Sequence, residues 1–176
     1  MSFLSRLFGM DAPVATIKPQ LIVPPVSDDS QILSATVDLI AKFEGFVPTP
    51  YLCPAKVWTI GFGSTRDGAG VPVTSTSPAI NVATAREWAM RDLMTALAAV
   101  RSSVSVAMTI NEQVALVDFV YNLGAGNFAR SNILRDLNAG RLSAAADDLM
   151  QWNHASGVVL AGLTRRRAAE RDLMLS

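Results

Sequence analysis

Three polar side chains lie close enough in this chain to do chemistry together. Glu44 is followed after eight residues by Cys53, and Cys53 after five by Thr59. A carboxyl group can protonate a leaving group, and burial disfavours its charged form, so a buried glutamic acid keeps its proton to higher pH. A free thiol titrates near pH ~8.5, and its thiolate is a strong nucleophile. A hydroxyl can hold a water molecule. Taken singly, each residue has an ordinary reading: a glutamate swinging into solvent at a helix end, a cysteine filling a small apolar space, a threonine favouring a strand. Chemistry follows only if their elements converge.

The flanking pattern brings them together. Asp28 with Gln31 resembles a capping box, and Leu33, Val37 and Ile40 follow helical spacing. At roughly 100° per residue, Glu44 falls about 20° from Leu33, which puts a carboxylate on the apolar stripe. Gly45, Pro48 and Pro50 then end the helix. Residues 51–53, a turn at 54–56 and residues 57–63 read as a β-hairpin. In its second strand Trp58, Ile60 and Phe62 share one face, and Thr59 lies on the other with Val57 and Gly61. Residues 64–81 form a loop rich in Gly, Ser, Thr and Pro. Thr84 with Glu87, and Thr109 with Glu112, resemble caps before helices over 88–100 and 114–123, the second closed by Gly124. Shorter helices are expected over 131–138, 143–152 and 163–173. The fold class is α+β, mostly α: a small β-hairpin lobe, a larger helical lobe and a cleft between them.

Composition sets further bounds. The chain has 176 residues, half of them hydrophobic, which suits one domain. Residues 1–29, punctuated by Pro13, Pro19, Pro24 and Pro25, read as a tail or linker, and residues 30–176 as the catalytic domain. One Cys and one His exclude an internal disulfide and a Cys/His zinc cluster. Fifteen basic and fifteen acidic groups balance, so no general attraction to nucleic acid is expected. Arg165, Arg166, Arg167 and Arg171 read as a solvated or salt-bridged helix face. No apolar run approaches the ~18 residues of a membrane span, and no secretory signal is visible, so synthesis in a cytoplasm without a stable membrane anchor is expected. Gly61, Gly63 and Gly68 evoke a nucleotide loop, but Arg66 stands where its third glycine belongs and no P-loop lysine follows.

The stretch FEGFVPTPYLCPAKVWTIGFGST resembles the catalytic segment of the phage-type lysozymes of glycoside hydrolase family 24, which carry Glu-x8-Asp-x5-Thr and then Gly-x-Gly; a variant branch has Cys in the Asp position. NEQVALVDFVYNLGAGNFARSNILRDLNAG is similar to the family's central helix pair, and QWNHASGVVLAGLTRRRAAERDL to its C-terminal Trp, Gly-Leu and double-Arg segment. The resemblance covers about residues 31–174. It implies hydrolysis of the β-1,4 bond between N-acetylmuramic acid and N-acetylglucosamine in peptidoglycan, by an endolysin that needs no cofactor or metal. Glu44 would be the general acid, Cys53 would stand where a residue activates or positions the attacking water, and Thr59 would hold that water. Thr65, Tyr121, Asn122 and Ser131 would contact saccharide, and Arg166 would approach Glu44. A monomer released to the wall through a holin pore is expected.

Several features depart from that pattern. Cys53 replaces the second carboxylate, so it could be a base, a nucleophile or a neighbour of the water. Ser64 stands where many relatives have His, and the net charge is zero. His154 reads as structural. A lytic transglycosylase giving 1,6-anhydro products, or a virion-associated wall-binding or structural protein on the same scaffold, are the alternatives.

Overall fold

A computed structural model describes residues 28–53, 55–155 and 157–176. The tail expected over residues 1–29 therefore lies, as far as residue 27, outside the described residues, and Asp28 and Asp29 form the first turn of helix α1 (Asp28–Glu44). This helix buries Ile32, Leu33, Thr36, Val37, Leu39 and Ile40, the stripe that its spacing predicts. The Thr36 hydroxyl donates to the Ile32 carbonyl at 2.7 Å, which satisfies a polar group inside the core.

The chain leaves α1 at Gly45, whose φ of +69° is a backbone region that favours glycine. Strand β1 (Val47–Leu52) then pairs antiparallel with β2 (Trp58–Gly61), with Val47 opposite Gly61, Tyr51 opposite Thr59 and Leu52 opposite Trp58. β1 starts earlier than the expected residue 51 and contains both prolines. The register shifts between Val47 and Tyr51, where Pro48 and Pro50 lack the N–H a regular ladder would use.

Helix α2 (Val82–Ser103) starts earlier than expected, because its cap is Asn81 and not Thr84: the Asn81 side chain accepts from the Thr84 N–H at 2.9 Å. Helix α3 (Ile110–Leu123) has the expected capping box, with Glu112 N–H to the Thr109 hydroxyl at 3.2 Å and Thr109 N–H to the Glu112 carboxylate at 3.0 Å. Gly124, at φ +87°, closes it. Helices α4 (Ala125–Ala129), α5 (Asn132–Asn138) and α6 (Leu142–Leu149), the short pair β3 (His154–Ala155) and β4 (Val158–Val159), and helix α7 (Ala161–Met174) complete the chain. Neither α4 nor the β3–β4 pair was expected, since both are too short for periodicity to register. His154 is exposed and pairs through its backbone with Val159.

Helix α3 is the axis of the helical lobe. Val114–Val120 are buried without a break, and the helix packs against α1, α2 and α7. Phe119 lies at its centre, edge-on to Phe128 at 6.2 Å and to Trp152 at 5.5 Å. Helix α2 carries the hairpin lobe. Gly61 comes so near that a Cβ there would lie 2.9 Å from the Ala85 Cβ, and Arg91 donates to the carbonyls of Arg66 and Asp67 in the loop after β2. The α+β, mostly α architecture with a two-stranded lobe is the one expected.

Candidate active site

Glu44 is the last residue of α1, and there it meets α7. Arg166 donates to Glu44 Oε1 through Nη1. Its Nε and Nη2 donate to Asp118 Oδ2 and Oδ1 at 2.9 and 2.7 Å. The Arg166 side chain is 3% exposed, Asp118 is fully buried, and Glu44 is 42% exposed. Glu44 is thus not buried as its place on the stripe implied; a side chain on the final residue of a helix has no following turn to cover it. Burial alone would lower the Arg166 pKa, but Asp118, Glu44 and Glu170 outweigh it and push the guanidinium further up. Phe43 covers it, with the ring centre 5.8 Å away.

The solvated or salt-bridged face expected on α7 is found, but two of its four arginines make their ion pairs inside the core. Arg165 is exposed, and Arg171 pairs with Asp147 at 2.7 Å. Arg166 and Arg167 are buried because α3 and α7 supply buried partners for them. Arg167 lies over the Phe119 ring at 5.1 Å and donates to Asn122 Oδ1 at 3.2 Å and to Glu170. Burial, reinforced by the nearby Asp118, drives the Glu170 carboxyl well above its ordinary range, and burial pushes Arg167 down.

Cys53 follows β1 at the hairpin turn, and Thr59 lies in β2; neither lines the cavity that opens beside Glu44. The Cys53 N–H donates to the Val57 carbonyl at 3.0 Å, and Lys56 N–H to the Cys53 carbonyl at 2.8 Å, with Lys56 at φ +59° completing the turn. The thiol pKa is lowered, first by the Val57 backbone and, against the effect of burial, by the Thr59 hydroxyl. Thr59 is buried, and its hydroxyl donates to the Val57 carbonyl at 3.0 Å. Tyr51, the cross-strand partner of Thr59, was not singled out in the sequence. Burial raises its phenol, and so do the charges of Glu44 and Cys53.

A cavity of about 640 Å³ opens beside Glu44, lined also by Lys42, Asn122, Leu160, Leu163 and Arg165. Of the other expected contact residues, Asn122 is in this cavity. Tyr121 is raised to about 12 by burial, Asp92 and Glu44, and its hydroxyl would lie 3.3 Å from a Cβ on Gly63. Thr65 is exposed on the loop, where its carbonyl accepts from Val73 at 2.9 Å. Ser131 is not brought to Glu44. It caps α5, accepts from Leu134 N–H at 3.2 Å, donates to the Phe128 carbonyl at 2.7 Å, and lines a separate cavity of about 350 Å³ with Asp148, Gln151 and Trp152. Ser64 donates to Asp92 at 2.7 Å, and Arg91 holds the other Asp92 oxygen. Sequence reasoning passed over Asp92, Asp118 and Glu170. Asp118 carried a signal: a lone carboxylate in the apolar run of α3 needs a buried partner.

A hairpin lobe and a helical lobe with a glutamate at the helix end between them define a lysozyme-like glycoside hydrolase. Comparison with known proteins agrees. The chain matches the phage lysozyme family over residues 41–170. It is 36% identical to the endolysin of Bacillus phage PZA over 148 residues, 83% of this chain but 55% of that protein. It is 33% identical to the SAR-endolysin of Enterobacteria phage PA-2, covering 75% of this chain and 77% of the other. The solved endolysin from Escherichia coli O157:H7 phage FAHEc1 superposes with a TM-score of 0.74 at 32% identity, over 80% of this chain and 90% of that one. The chain belongs to the phage lysozyme family.

Proposed function

We propose that the chain is an endolysin-type peptidoglycan hydrolase that cleaves the β-1,4 bond between N-acetylmuramic acid and N-acetylglucosamine, with Glu44 as general acid. The observation that carries this reading is that Glu44 is the one carboxylate lining the 640 Å³ cavity, and that it is held there by a buried arginine. Glu44 gives its proton to the glycosidic oxygen as the bond to the anomeric carbon breaks. Arg166 donates to Oε1 and holds the side chain in place.

A water enters on the opposite face of the sugar. While the thiol is protonated the Thr59 hydroxyl donates to the Val57 carbonyl, and on ionisation the same hydrogen turns to the thiolate; in either state its lone pairs are available to accept from that water. The lowered Cys53 pKa supplies thiolate to take the water's second proton as its oxygen bonds to the anomeric carbon, inverting it. Thr65, Tyr121 and Asn122 hold saccharide, with Asn122 on the cavity that Glu44 lines, while Ser131 serves as the cap of α5. The enzyme acts as a monomer, is made in the cytoplasm of the bacterial host and reaches the wall through a holin pore at the end of infection.

A second reading draws on the same lone carboxylate. With no second carboxylate lining the cavity, a transglycosylase could close muramic acid on its own 6-hydroxyl in place of water. Either reading requires the acid. Glu44→Gln is expected to abolish release of soluble fragments from purified peptidoglycan while far-UV circular dichroism stays that of the wild type. Wild-type release by a folded Glu44→Gln protein would remove Glu44 from the role.

A further inference from the structure

We propose that Glu170 is a positioning residue for the general acid: its carboxyl donates a hydrogen bond to Asp118 and so keeps the Arg166 guanidinium turned towards Glu44. The inference rests on the reading of Glu44 as the general acid and extends the support of that acid one residue deeper into the core.

Glu170 does not line the cavity. It is fully buried on α7, the helix that packs on α3. Two carboxyls meet two guanidinium groups there. Arg166 Nε is 2.9 Å from Asp118 Oδ2 and 3.8 Å from Glu170 Oε1, so both acids approach one nitrogen. Asp118 takes it, accepting from Nε and Nη2 with its two oxygens. Glu170 Oε1 accepts from Arg167 Nη2 instead. Glu170 Oε2 is left buried, and no donor among the described residues reaches it.

A carboxylate oxygen in that place is costly, and a second negative charge beside Asp118 adds to the cost. A proton on Oε2 removes both. It turns an unused acceptor into a donor, and Asp118, whose oxygens each keep a further lone pair, is the acceptor beside it. Burial and a hydrogen bond with Asp118 both raise the Glu170 pKa, in keeping with a retained proton.

The other charged groups around the cluster are engaged. On α7, Arg166 is shared by Asp118 and Glu44, and Arg167 lies over Phe119 and donates to Asn122. On α6, Asp147 is bound to Arg171 at 2.7 Å, and Asp148 lines the cavity with Ser131. From α1 the group that meets the cluster is Glu44 itself. With Glu170 neutral, Arg166 and Arg167 are matched by Asp118 and by the Glu44 carboxylate that proton transfer leaves. An ionised Glu170 would repel Asp118 and compete with it for Arg166 Nε, and the guanidinium would lose its fixed aim.

The test measures kcat and KM of the full chain on soluble peptidoglycan strands against pH, with carboxyl-carbon NMR following Glu170 in the folded protein. Glu170→Gln keeps a donor at the same place and cannot ionise; Glu170→Met fills similar space without a donor. Below the pH at which Glu170 titrates, Glu170→Gln should stay within about twofold of wild type. Glu170→Met should lose about tenfold in kcat with KM unchanged, the effect of a slightly misplaced acid. Across the titration, kcat of wild type should fall relative to Glu170→Gln, because only wild type loses the donor; ionisation of Glu44 is common to both and cancels in the ratio. A Glu170 carboxyl that titrates with ordinary glutamates overturns the proposal. So does a ratio that stays level or rises across the titration, or a folded Glu170→Met protein with wild-type kcat. If Glu170→Met does not fold, the ratio decides; if Glu170 keeps its proton throughout, Glu170→Met decides. A folded Glu44→Gln protein with wild-type activity contradicts the general-acid reading itself, and this proposal with it.

Discussion

Arg166 is bound to Glu44 by Nη1 while its other two donor nitrogens are held by Asp118. The buried guanidinium is therefore fixed from behind, and the exposed acid is fixed by it. A helix end would otherwise leave the glutamate free to sweep through solvent. Positioning the proton donor is thus work for α3 and α7, not for α1 that carries it.

Removing Arg166 should cost far more than an activity defect. Arg166→Ala leaves Asp118 charged and without its bidentate partner inside the core. Such a loss costs about 3–5 kcal/mol. Arg171→Ala breaks only the exposed pair with Asp147 and should cost under about 1 kcal/mol. Urea unfolding of both variants measures the difference.

Glu170 should make stability depend on pH. Folding raises its pKa above the ordinary 4.5, so between those values the folded chain binds more protons than the unfolded one. The stabilisation is full below the unfolded pKa and is lost as pH rises through the folded one. Glu170→Gln cannot ionise. Its urea midpoint, relative to wild type, should rise as pH is raised above the ordinary carboxylate range. A difference that stays constant as pH rises contradicts the raised Glu170 pKa.

The Cys53 thiol should react with iodoacetamide at lower pH than an ordinary cysteine, because the Val57 backbone and the Thr59 hydroxyl favour the thiolate. In Thr59→Val the midpoint of the rate against pH should move up. In lysis assays Cys53→Ser should lose much more activity than Cys53→Asp, which restores a base. Equal activity of all three forms makes Cys53 a bystander.

Gly61→Ala should loosen the hairpin from α2. The position combines φ +69° with a 2.9 Å approach to the Ala85 Cβ, so an added methyl meets both strain and a clash. A loss of about 1–3 kcal/mol in thermal unfolding is expected.

The sequence carried the elements better than their junctions. The stripe Leu33, Val37 and Ile40 predicted α1 because burial imposes its period, and the Thr109–Glu112 box predicted α3 because capping is local. Asn81 was missed as a cap because Thr84 offered the same chemistry three residues later. The triad spacing singled out Glu44, Cys53 and Thr59 as candidates, but no local pattern could place Asp118 beside Arg166, 48 residues away. That pairing depends on α3 and α7 packing together, and so does the burial of Arg167 that turned an expected surface face into core.

The central claim is that Glu44 drives hydrolysis, with water as the acceptor. Mass spectrometry of fragments released from purified peptidoglycan tests it most directly. Hydrolysis leaves reducing N-acetylmuramic acid ends, each heavier by one water than a 1,6-anhydro end. The account predicts reducing ends from the wild-type protein and no fragments from Glu44→Gln; 1,6-anhydro ends would contradict it.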